Sequence, residues 1–348
     1  MTRFGRLAVL AATLCALLLL AGLMGGLAAP LDSFSHFRPY LAVLAIVAGF
    51  VGLCLGHGLG RWVALGAMAV GIASAVTVAP FLGVLSPSLT NRLHGFAVFA
   101  PIAEPDEAAR ARELSLLQLN VLYSSDPAAG LAAIRRANTD FVTLEEVAWR
   151  WPAALETLSD LYPHRAACGA HRGGESVVIL SKYPFTGEAV CMPDQRFGAR
   201  EVDLGEGRRM TVAVQHLFWP WPRGQNRQIA QLSKTLGAIK ERGTPLIVGG
   251  DFNAAPWSAA MRTFAAKSGT RPVPSIGPSF APRALPDIAK SSVGLLIDNV
   301  LVSPDVAVLS AQTLPPVGSD HLPVLVRFTL PGSPTPGTKA ETGMPARS

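Results

Sequence analysis

Eight acidic, amide and imidazole side chains stand where short apolar runs of the sequence end. Carboxylate and amide oxygens are the ligands that hard cations such as magnesium prefer, and such a cation keeps positions open for phosphate. Histidine adds a group that can move protons near neutral pH. Each residue alone is typical of a turn or a surface, but their recurrence at strand ends predicts a site for phosphate chemistry. The eight residues are Asn120, Glu146, His216, Asp251, Asn253, Asp298, Asp320 and His321.

The runs that precede these residues are short and rich in β-branched residues, with turn residues between them, which is typical of strands. They cover 114–121, 140–144, 176–180, 210–214, 246–248, 298–302 and 324–330. Two helices are predicted between them, one from the Asp126 cap to Asn138 and one from Asn226 to Arg242. Because the ends of strands in one sheet converge, the eight side chains can meet. Many strands and few helices predict a four-layer α/β/β/α sandwich of two mixed sheets.

Three uncharged, apolar stretches occupy the first 90 residues, at 7–29, 40–56 and 62–90. Each supplies the roughly 17 to 25 apolar residues that cross a bilayer. The first could instead be a cleaved signal peptide, since Arg3 and Arg6 precede an apolar run that ends in small residues. A secreted protein has no use for the other two stretches, so about three transmembrane helices are the simpler interpretation.

The sequence therefore predicts four parts: a membrane anchor at 1–90, a linker at 91–112, a folded domain at 113–330 and a disordered tail at 331–348. The tail is assigned by its proline, glycine and polar residues and its lack of an apolar run. With the amino terminus in the cytoplasm, three arginines of the anchor lie inside and two lie outside, as the positive-inside rule favours. Three spans then make this a multi-pass protein of the inner or cell membrane, with the folded domain on the periplasmic or extracellular side.

The net charge of +6 does not by itself predict a nucleic-acid partner. Five arginines against one aspartate put +4 of that charge in the first 100 residues and leave +2 for the rest. The electric field of a domain with so small a net charge is compatible with a polyanionic substrate but does not require one. No feature of the sequence indicates an obligate protein partner.

Two cysteines of the folded domain bear on its compartment. Cys168 and Cys191 flank a strand-like segment and could form a disulfide, which would fit an oxidising compartment. The alternative is two unpaired buried thiols.

Seven short motifs, in order along the chain, resemble the endonuclease/exonuclease/phosphatase superfamily. The motifs are QLNV at 118–121, LEEV at 144–147, VILSKYP at 178–184, QHL at 215–217, GGDFN at 249–253, IDNVLVS at 297–303 and SDHLPV at 319–324. GDFN and SDH, in this order and at this separation, are the most specific of them. The resemblance covers about residues 113–330 and implies an enzyme that hydrolyses phosphate esters with Mg²⁺, for which Mn²⁺ could substitute.

On the metal side, the resemblance implies that Glu146 is the principal magnesium ligand, with Asn120 beside it and Asp320 in support. The family often has glutamine directly before the metal-binding glutamate, whereas this chain has Glu145. The extra carboxylate would either tighten the metal site or face solvent. In either case the assignment of Glu146 is unchanged.

On the phosphate side, the resemblance implies that Asp251 deprotonates the attacking water and that Asn253 holds the phosphate. His321 would donate to a phosphoryl oxygen, with Asp298 fixing its tautomer. His216 would donate from the opposite side, to a non-bridging or leaving oxygen. The reaction implied is a one-step hydrolysis by metal-activated water.

The FWPWP run at 218–222 is too rich in proline for a helix or a central strand, so it predicts a stiff apolar loop beside the site. The loop either covers the core or offers Trp219 and Trp221 as a platform for a nucleic-acid base or a lipid. Arg227, near the start of the next helix, is either a phosphate contact or an ordinary helix-start charge.

The favoured function is a phosphodiesterase or nuclease. The alternative is a membrane phospholipid or sphingolipid phosphodiesterase or phosphatase, so the expected substrate is a phosphate ester in nucleic acid or in lipid. A third class, a catalytically inactive membrane scaffold, is disfavoured because all eight candidate residues are retained together.

Overall fold

The computed structural model describes residues 2–104, 113–169 and 176–330. Within these ranges the chain forms three long apolar helices followed by two packed β-sheets. The predicted tail at 331–348 and the 105–112 part of the predicted linker lie outside the described residues.

Three helices near the amino terminus are long and apolar enough to cross a membrane. They are α1 at Arg3–Leu23, α2 at Arg38–Leu55 and α3 at Leu59–Val78. Small residues let them approach closely: a side chain added at Gly71 would lie 3.0 Å from the carbonyl oxygen of Ala42. The three long apolar helices expected from the sequence are confirmed.

The third apolar stretch of the sequence is longer than the helix it forms. After α3 ends at Val78, the chain turns toward the β-sheets, and Phe81 becomes only 2% exposed where it packs against Trp257. The carbonyl of Pro80 accepts a hydrogen bond of 2.9 Å from the backbone nitrogen of Ser275. The apolar residues that directly follow Val78 therefore pack against the folded domain.

Two six-stranded mixed sheets form that domain. In chain order the strands are β1 Leu114–Asn120, β2 Phe141–Val147, β3 His164–Gly169, β4 Ser176–Ser181, β5 Phe185–Met192, β6 Phe197–Asp203, β7 Arg209–His216, β8 Leu246–Asp251, β9 Arg271–Pro272, β10 Asp298–Val302, β11 Ala307–Thr313 and β12 Val324–Thr329. One sheet has the order β11, β12, β1, β2, β4, β3, and the other has the order β5, β6, β7, β8, β10, β9. Each contains one parallel pair, β1 with β2 and β7 with β8. The predicted sandwich of two mixed sheets is confirmed.

Helices cover the outer faces of the sheets and complete four layers. The remaining α-helices of at least five residues are α4 Pro87–Arg92, α5 Pro127–Ala137, α6 Trp151–Leu155, α7 Gln225–Glu241, α8 Ala259–Ser268 and α9 Asp287–Val293. Ile134 of α5 and Trp151 of α6 pack on the first sheet, whereas Leu232 of α7 and Phe264 of α8 pack on the second. A third apolar cluster fills the space between the sheets.

Five strands that the sequence patterns did not predict, β3, β5, β6, β9 and β11, lie at the sheet edges or next to one. Edge strands meet solvent, so they carry little apolar pattern; no residue of β5 is fully buried. Cys168 in β3 and Cys191 in β5 form a disulfide, with Cα atoms 5.4 Å apart. The bond joins the edge of one sheet to the edge of the other.

Part of the predicted linker runs along the folded domain. The backbone nitrogen of Ala100 donates to the Pro272 carbonyl at 2.9 Å, and that of Ala103 donates to the Val308 carbonyl at 2.7 Å. The described residues of this segment therefore hold a fixed place against the second and first sheets, respectively. The four-part division of the chain stays a prediction.

The loop between α1 and α2, which includes a four-residue helix at Ala29–Asp32 and a 3-10 helix at Ser33–Phe37, docks on the same domain. The carboxylate of Asp32, which is 3% exposed, accepts hydrogen bonds of 2.8 and 2.9 Å from the backbone nitrogens of Ala259 and Ala260. The indole nitrogen of Trp257 donates to the carbonyl of Ser35 at 2.7 Å. Asp32 therefore caps the amino terminus of α8, although it lies 227 residues away in the sequence. The helix dipole adds to these hydrogen bonds, since a helix amino terminus attracts negative charge.

Candidate catalytic site

Strand register places three of the predicted residues in one row. His216 of β7 is paired with Asp251 of β8, and Asp251 is paired with Asp298 of β10. β7 and β8 run parallel, and β10 runs antiparallel to β8. The first residue of β10, Asp298, therefore lies beside the last residue of β8, Asp251, which lies beside the last residue of β7, His216. All three side chains are buried where β7 and β8 end and β10 begins.

The first sheet supplies Asn120 and Glu146. Asn120 ends β1, and its Nδ2 donates to Glu146 Oε1 and to Asp251 Oδ2, each at 3.1 Å. Glu146 has a φ of 58° at a break in the pairing of β2 with β4. Such left-handed conformations are uncommon outside glycine and persist where the surroundings enforce them. Two carboxylates from different sheets therefore converge on one amide.

Asp251 lies at the centre of the arrangement. Its Oδ1 accepts a hydrogen bond of 2.9 Å from the backbone nitrogen of Asn253, and its Oδ2 lies 3.6 Å from His216 Nε2 and 3.7 Å from His321 Nε2. Burial raises the pKa of Asp251 to about 7, although the charge of His321 opposes the shift. A carboxyl group with a pKa near neutrality can take up and release a proton at working pH.

His321 and Asp298 form a buried ion pair, with Nδ1 and Oδ2 2.8 Å apart. Burial lowers the pKa of His321, but the carboxylates of Asp298 and Asp251 outweigh it and raise the pKa to about 10. Gln118 Nε2 donates to the other oxygen of Asp298 at 3.0 Å. With both oxygens engaged, Asp298 orients His321 and keeps it positively charged.

His216 is held in its neutral form. Burial, followed by the charge of Arg196, lowers the pKa of His216 well below its usual value. Arg196 Nη1 lies 3.2 Å from His216 Nδ1. Because a guanidinium group only donates, Nδ1 accepts and the proton resides on Nε2. That Nε2–H group therefore faces Asp251 as a donor.

Asn253 turns the loop that follows β8, with a φ of 44° that asparagine tolerates better than most residues. Its Nδ2 donates to the carbonyl of Leu217 at 2.8 Å, which fixes the side chain. Its own carbonyl lies 3.1 Å from Gln225 Nε2 and 3.1 Å from His36 Nε2. His36 belongs to the loop between α1 and α2, so the amino-terminal part of the chain touches the catalytic loop directly.

Glu145, the residue before Glu146, is fully buried between the sheets and accepts a hydrogen bond of 2.9 Å from Gln118 Nε2. Burial, together with the nearby carboxylates of Asp298 and Asp251, raises the pKa of Glu145 well above its usual value. Glu145 does not face solvent, so that sequence expectation was wrong. The alternative, that Glu145 tightens the metal site, stays a prediction.

The oxygen atoms of the site fit a hard divalent cation, since the carboxylates of Glu146 and Asp251 converge beside Asn120. Ligand atoms of Asp251, Asp298 and His321 also lie within 4.8 Å of one another. That second group suits Mg²⁺ less well, because both oxygens of Asp298 are engaged and Mg²⁺ prefers oxygen to imidazole. The first group contains Glu146 and Asn120, two of the three expected ligands, together with Asp251, which was expected to be the base; the role of each stays a prediction.

A cleft of about 410 Å³ opens onto these residues. It is lined by Leu122, Tyr123, Glu146, Arg196, His216, Leu217, Phe218, Trp219, Arg223, Asp251, Asn253, Phe280, Asp320 and His321. Phe280 packs against His321 and Trp219, with ring centroids 4.9 and 6.3 Å away. The cleft therefore combines an aromatic wall with the charged groups at its base, as ligand pockets commonly do.

The structure brings only one of the three predicted substrate residues to the cleft. Trp219 lines it, whereas Trp221, which is 64% exposed, and Arg227 lie outside the lining. Arg196 and Arg223 line the cleft instead. Arg223 directly follows the FWPWP run, which was a usable signal, but Arg196 lies between two strands that the sequence did not reveal.

We expect the metal-free protein to lose thermal stability as the pH rises from about 5.5 to about 8.5. The folded-state pKa of Asp251, about 7, exceeds its ordinary value of 3.8, so folding favours the protonated form. That contribution is complete below 3.8 and is lost as the pH rises through about 7. The pKa of His321 is also raised and acts in the same direction, whereas the lowered pKa of His216 acts in the opposite direction below its ordinary value of 6.5.

Melting temperatures of the full chain in detergent, measured with chelator or with Mg²⁺, check this expectation. Mg²⁺ should raise the melting temperature more at the high end of the range, and Asp251→Asn should flatten the pH dependence. A metal-free protein that becomes more stable across the range would contradict the electrostatic account of the site.

Comparisons with known proteins agree with the motifs. A model of the endonuclease/exonuclease/phosphatase family matches residues 117–321. An endonuclease/exonuclease/phosphatase from Beutenbergia cavernae DSM 12333 is 21% identical, with a TM-score of 0.50 over 64% of this chain and 72% of that one. The human Nocturnin catalytic domain, solved with a bound sulfate anion, is also 21% identical, with a TM-score of 0.50 over 63% and 94%. These two similarities show the fold alone, and a search of curated proteins found no match.

Proposed function

The chain belongs to the endonuclease/exonuclease/phosphatase family, whose members hydrolyse phosphoester bonds, and we propose that it is a Mg²⁺-dependent hydrolase of phosphate esters, with Mn²⁺ as a substitute. One observation carries the proposal: the buried carboxylate of Asp251 lies within 4 Å of Asn120, Asn253 and both cleft histidines. A carboxyl group of near-neutral pKa among hydrogen-bond donors is the arrangement that deprotonates water beside a phosphate.

Glu146 would be the principal ligand of the divalent cation, with Asn120 beside it and Asp320 in support from the cleft wall. When bound, the cation offsets the charge of the phosphate and lowers the pKa of a coordinated water. His321, which Asp298 keeps protonated, supplies a second positive charge beside the phosphate.

Asp251 accepts a proton from the attacking water as the new oxygen–phosphorus bond forms and the ester oxygen–phosphorus bond breaks. His321 donates to a phosphoryl oxygen, and the Nε2–H of His216 donates to a non-bridging or leaving oxygen. Asn253 keeps Asp251 in place through its backbone nitrogen and holds the phosphate with its amide. These donors act on charge that develops during the reaction, where fixed dipoles are most effective.

A nucleic-acid substrate is supported by the cleft lining. Arg196 and Arg223 supply positive charge, and Trp219 offers an aromatic face. Sites that bind single-stranded nucleic acid combine these two features.

A phospholipid or sphingolipid substrate is supported by the position of the cleft. His36 touches Asn253, and the hydroxyl of Tyr40 donates to the carbonyl of Gly294 at 2.6 Å. His36 and Tyr40 flank the start of α2, one of the three helices that can cross a membrane. A cleft this close to the end of a span lies within reach of lipid headgroups.

The test uses the full chain in detergent or lipid, because the loop between α1 and α2 packs on the catalytic loop. Single-stranded DNA, duplex DNA, RNA, sphingomyelin, phosphatidylinositol phosphates and a generic phosphodiester are each assayed with Mg²⁺ and with chelator. The proposal predicts turnover of at least one substrate that requires the metal. Absence of metal-dependent turnover on every substrate would sink it.

For location, we propose a multi-pass protein of the inner or cell membrane, with the catalytic domain on the periplasmic or extracellular side. Three helices of sufficient length and hydropathy support the insertion, and the disulfide between Cys168 and Cys191 supports an oxidising compartment. A reporter that is active only outside the cytoplasm, joined after residue 110, should be active. An inactive reporter together with an active cytoplasmic one would reverse the orientation.

A further inference from the structure

A second cavity, of about 280 Å³, lies where the three apolar helices meet the catalytic domain. Its walls include Leu23 at the end of α1, Thr77 near the end of α3, and Trp257 of the catalytic domain. None of its lining residues lines the catalytic cleft. The cavity is therefore separate from the proposed active site, and it lies beside the ends of α1 and α3 and the start of α2.

Two arginines face this otherwise mainly apolar space. Arg38, the first residue of α2, is 3% exposed, and its Nη2 donates to the hydroxyl of Thr77 at 2.7 Å, whereas its Nε has no hydrogen-bond partner. Arg262 of α8 donates from Nη1 to the carbonyl of Trp257 at 2.7 Å. Among the described residues, neither arginine forms an ion pair with a carboxylate.

The two arginines of the cavity carry positive charge that no carboxylate among the described residues balances, so the cavity favours an anion. Guanidinium groups remain charged in proteins, and a buried charge without a counterion is costly. Two guanidinium groups on one cavity match the oxygens of a phosphate, which arginine binds through several donors at once. The volume of the cavity lies just below the range of about 300 to 1,000 Å³ that is usual for pockets binding drug-sized ligands. The cavity therefore suits a lipid headgroup and not a whole lipid.

We propose that this cavity binds the phosphate headgroup of an anionic membrane lipid. Leu23 ends α1 and Arg38 begins α2, so the membrane insertion proposed above would place the cavity near the headgroup layer. Phe96 and Val98, which line the same cavity, are 66% and 69% exposed and offer an apolar surface to acyl chains. Basic pockets beside membrane-spanning helices bind lipid headgroups in the same way. The inference rests on the membrane insertion proposed above and not on the hydrolytic reaction.

Bound lipid would also connect the anchor to the catalytic domain. Arg38 belongs to a membrane-spanning helix and Arg262 belongs to α8, so one phosphate held by both arginines links the two parts. Trp257 lies four residues after Asn253, and its indole already bonds to Ser35. Anionic lipid should therefore raise the melting temperature of the full chain.

The test places the full chain in nanodiscs made of phosphatidylcholine alone or of an equal mixture with phosphatidylglycerol. Native mass spectrometry counts the retained lipids, and thermal unfolding is followed in parallel. We expect selective retention of phosphatidylglycerol and a higher melting temperature in the mixture. Arg262→Gln should weaken the retention by about fivefold, the effect of one basic residue at an anionic headgroup.

Arg262 is the primary variant because it is exposed and its loss leaves the packing of Arg38 intact. Arg38→Lys, which keeps the charge but loses the forked donors, should also weaken retention. Arg92→Gln is the matched control, since Arg92 is exposed on α4 and does not line the cavity. It should behave like the wild type.

Equal retention of the two lipids, or a preference that Arg262→Gln leaves unchanged, would overturn the proposal. Inorganic phosphate added to phosphatidylcholine nanodiscs distinguishes a lipid from a soluble anion. A full thermal shift with phosphate alone would also overturn the lipid assignment. Metal-dependent hydrolysis is measured in the same nanodiscs, so a failed lipid site and a failed enzymatic function give separate results.

Discussion

Replacing Asp251 with asparagine is expected to lower the kcat of phosphate-ester hydrolysis by roughly 10²- to 10⁴-fold, the usual contribution of a general base. The amide retains the shape of the carboxylate and can keep the hydrogen bond from the Asn253 backbone, but it cannot accept a proton from water. Initial rates of the full chain at saturating Mg²⁺ measure the effect. KM should change far less than kcat, because Asp251 acts on the attacking water and not on the bound substrate.

This variant should still fold, although its amide nitrogen cannot accept the hydrogen bond that Asn120 Nδ2 donates to Asp251 Oδ2 in the wild type. The raised pKa of Asp251 means that its ionised form is unfavourable in the metal-free fold, and the amide removes that charge. Asp305→Asn is the matched control, because Asp305 is exposed in the turn between β10 and β11. An Asp251→Asn protein that is well folded and retains more than about a tenth of the activity would contradict the assigned base.

The second large effect is expected from Asp32→Ala, which should lower the free energy of unfolding by about 2 to 3 kcal/mol. Its carboxylate is buried and accepts two hydrogen bonds at the start of α8. The substitution leaves the backbone nitrogens of Ala259 and Ala260 without a hydrogen-bond acceptor. It also removes a negative charge from the amino terminus of the helix, where negative charge is stabilising. Thermal or denaturant unfolding of the full chain measures the loss.

Asp126→Ala provides a matched control for that substitution. Asp126 caps α5 with a single hydrogen bond of 2.9 Å in an exposed position, so its removal should cost about 1 kcal/mol. Asp32→Ala should also reduce kcat, because the same loop carries His36 to Asn253. Equal stability losses in the two variants, with unchanged activity, would argue against docking of the helices on the catalytic domain.

The central strands and the site could be predicted from the sequence because both depend on local pattern. Central strands are buried on both faces, so they appear as continuous apolar runs, and the polar residue after each run marks the edge of the sheet. β1 and β8, which end at Asn120 and Asp251, are of this kind. Register aligns the strand ends within each sheet, and packing of the two sheets brings Asn120 and Asp251 together.

The burial of Glu145 was within reach of the same reasoning. Side chains alternate along a strand, so Glu145 shares a face with Phe141 and Thr143, and Phe141 belongs to the core between the sheets. Treating Glu145 as part of the turn after β2, and not as part of the strand, led to the wrong expectation.

The docking of the amino-terminal helices had no local signal. Asp32 and His36 are ordinary polar residues of a loop between two apolar stretches, and their partners are backbone groups more than 200 residues away. Backbone groups do not depend on side-chain identity, so no pattern in the catalytic domain indicates such a contact. Edge strands such as β5 and the arginine that follows it, Arg196, were missed for a related reason, since solvent-facing residues carry no fixed period.

The most direct test of the central claim is the rate of phosphate-ester hydrolysis as a function of Mg²⁺ concentration, for the wild type and for Glu146→Gln. The account predicts no activity in chelator, restoration by Mg²⁺, and a requirement for at least about tenfold more Mg²⁺ in the variant, since a principal carboxylate ligand is lost. Hydrolysis that persists in chelator, or identical Mg²⁺ curves for the two proteins, would contradict a metal-dependent site built around Glu146 and Asp251.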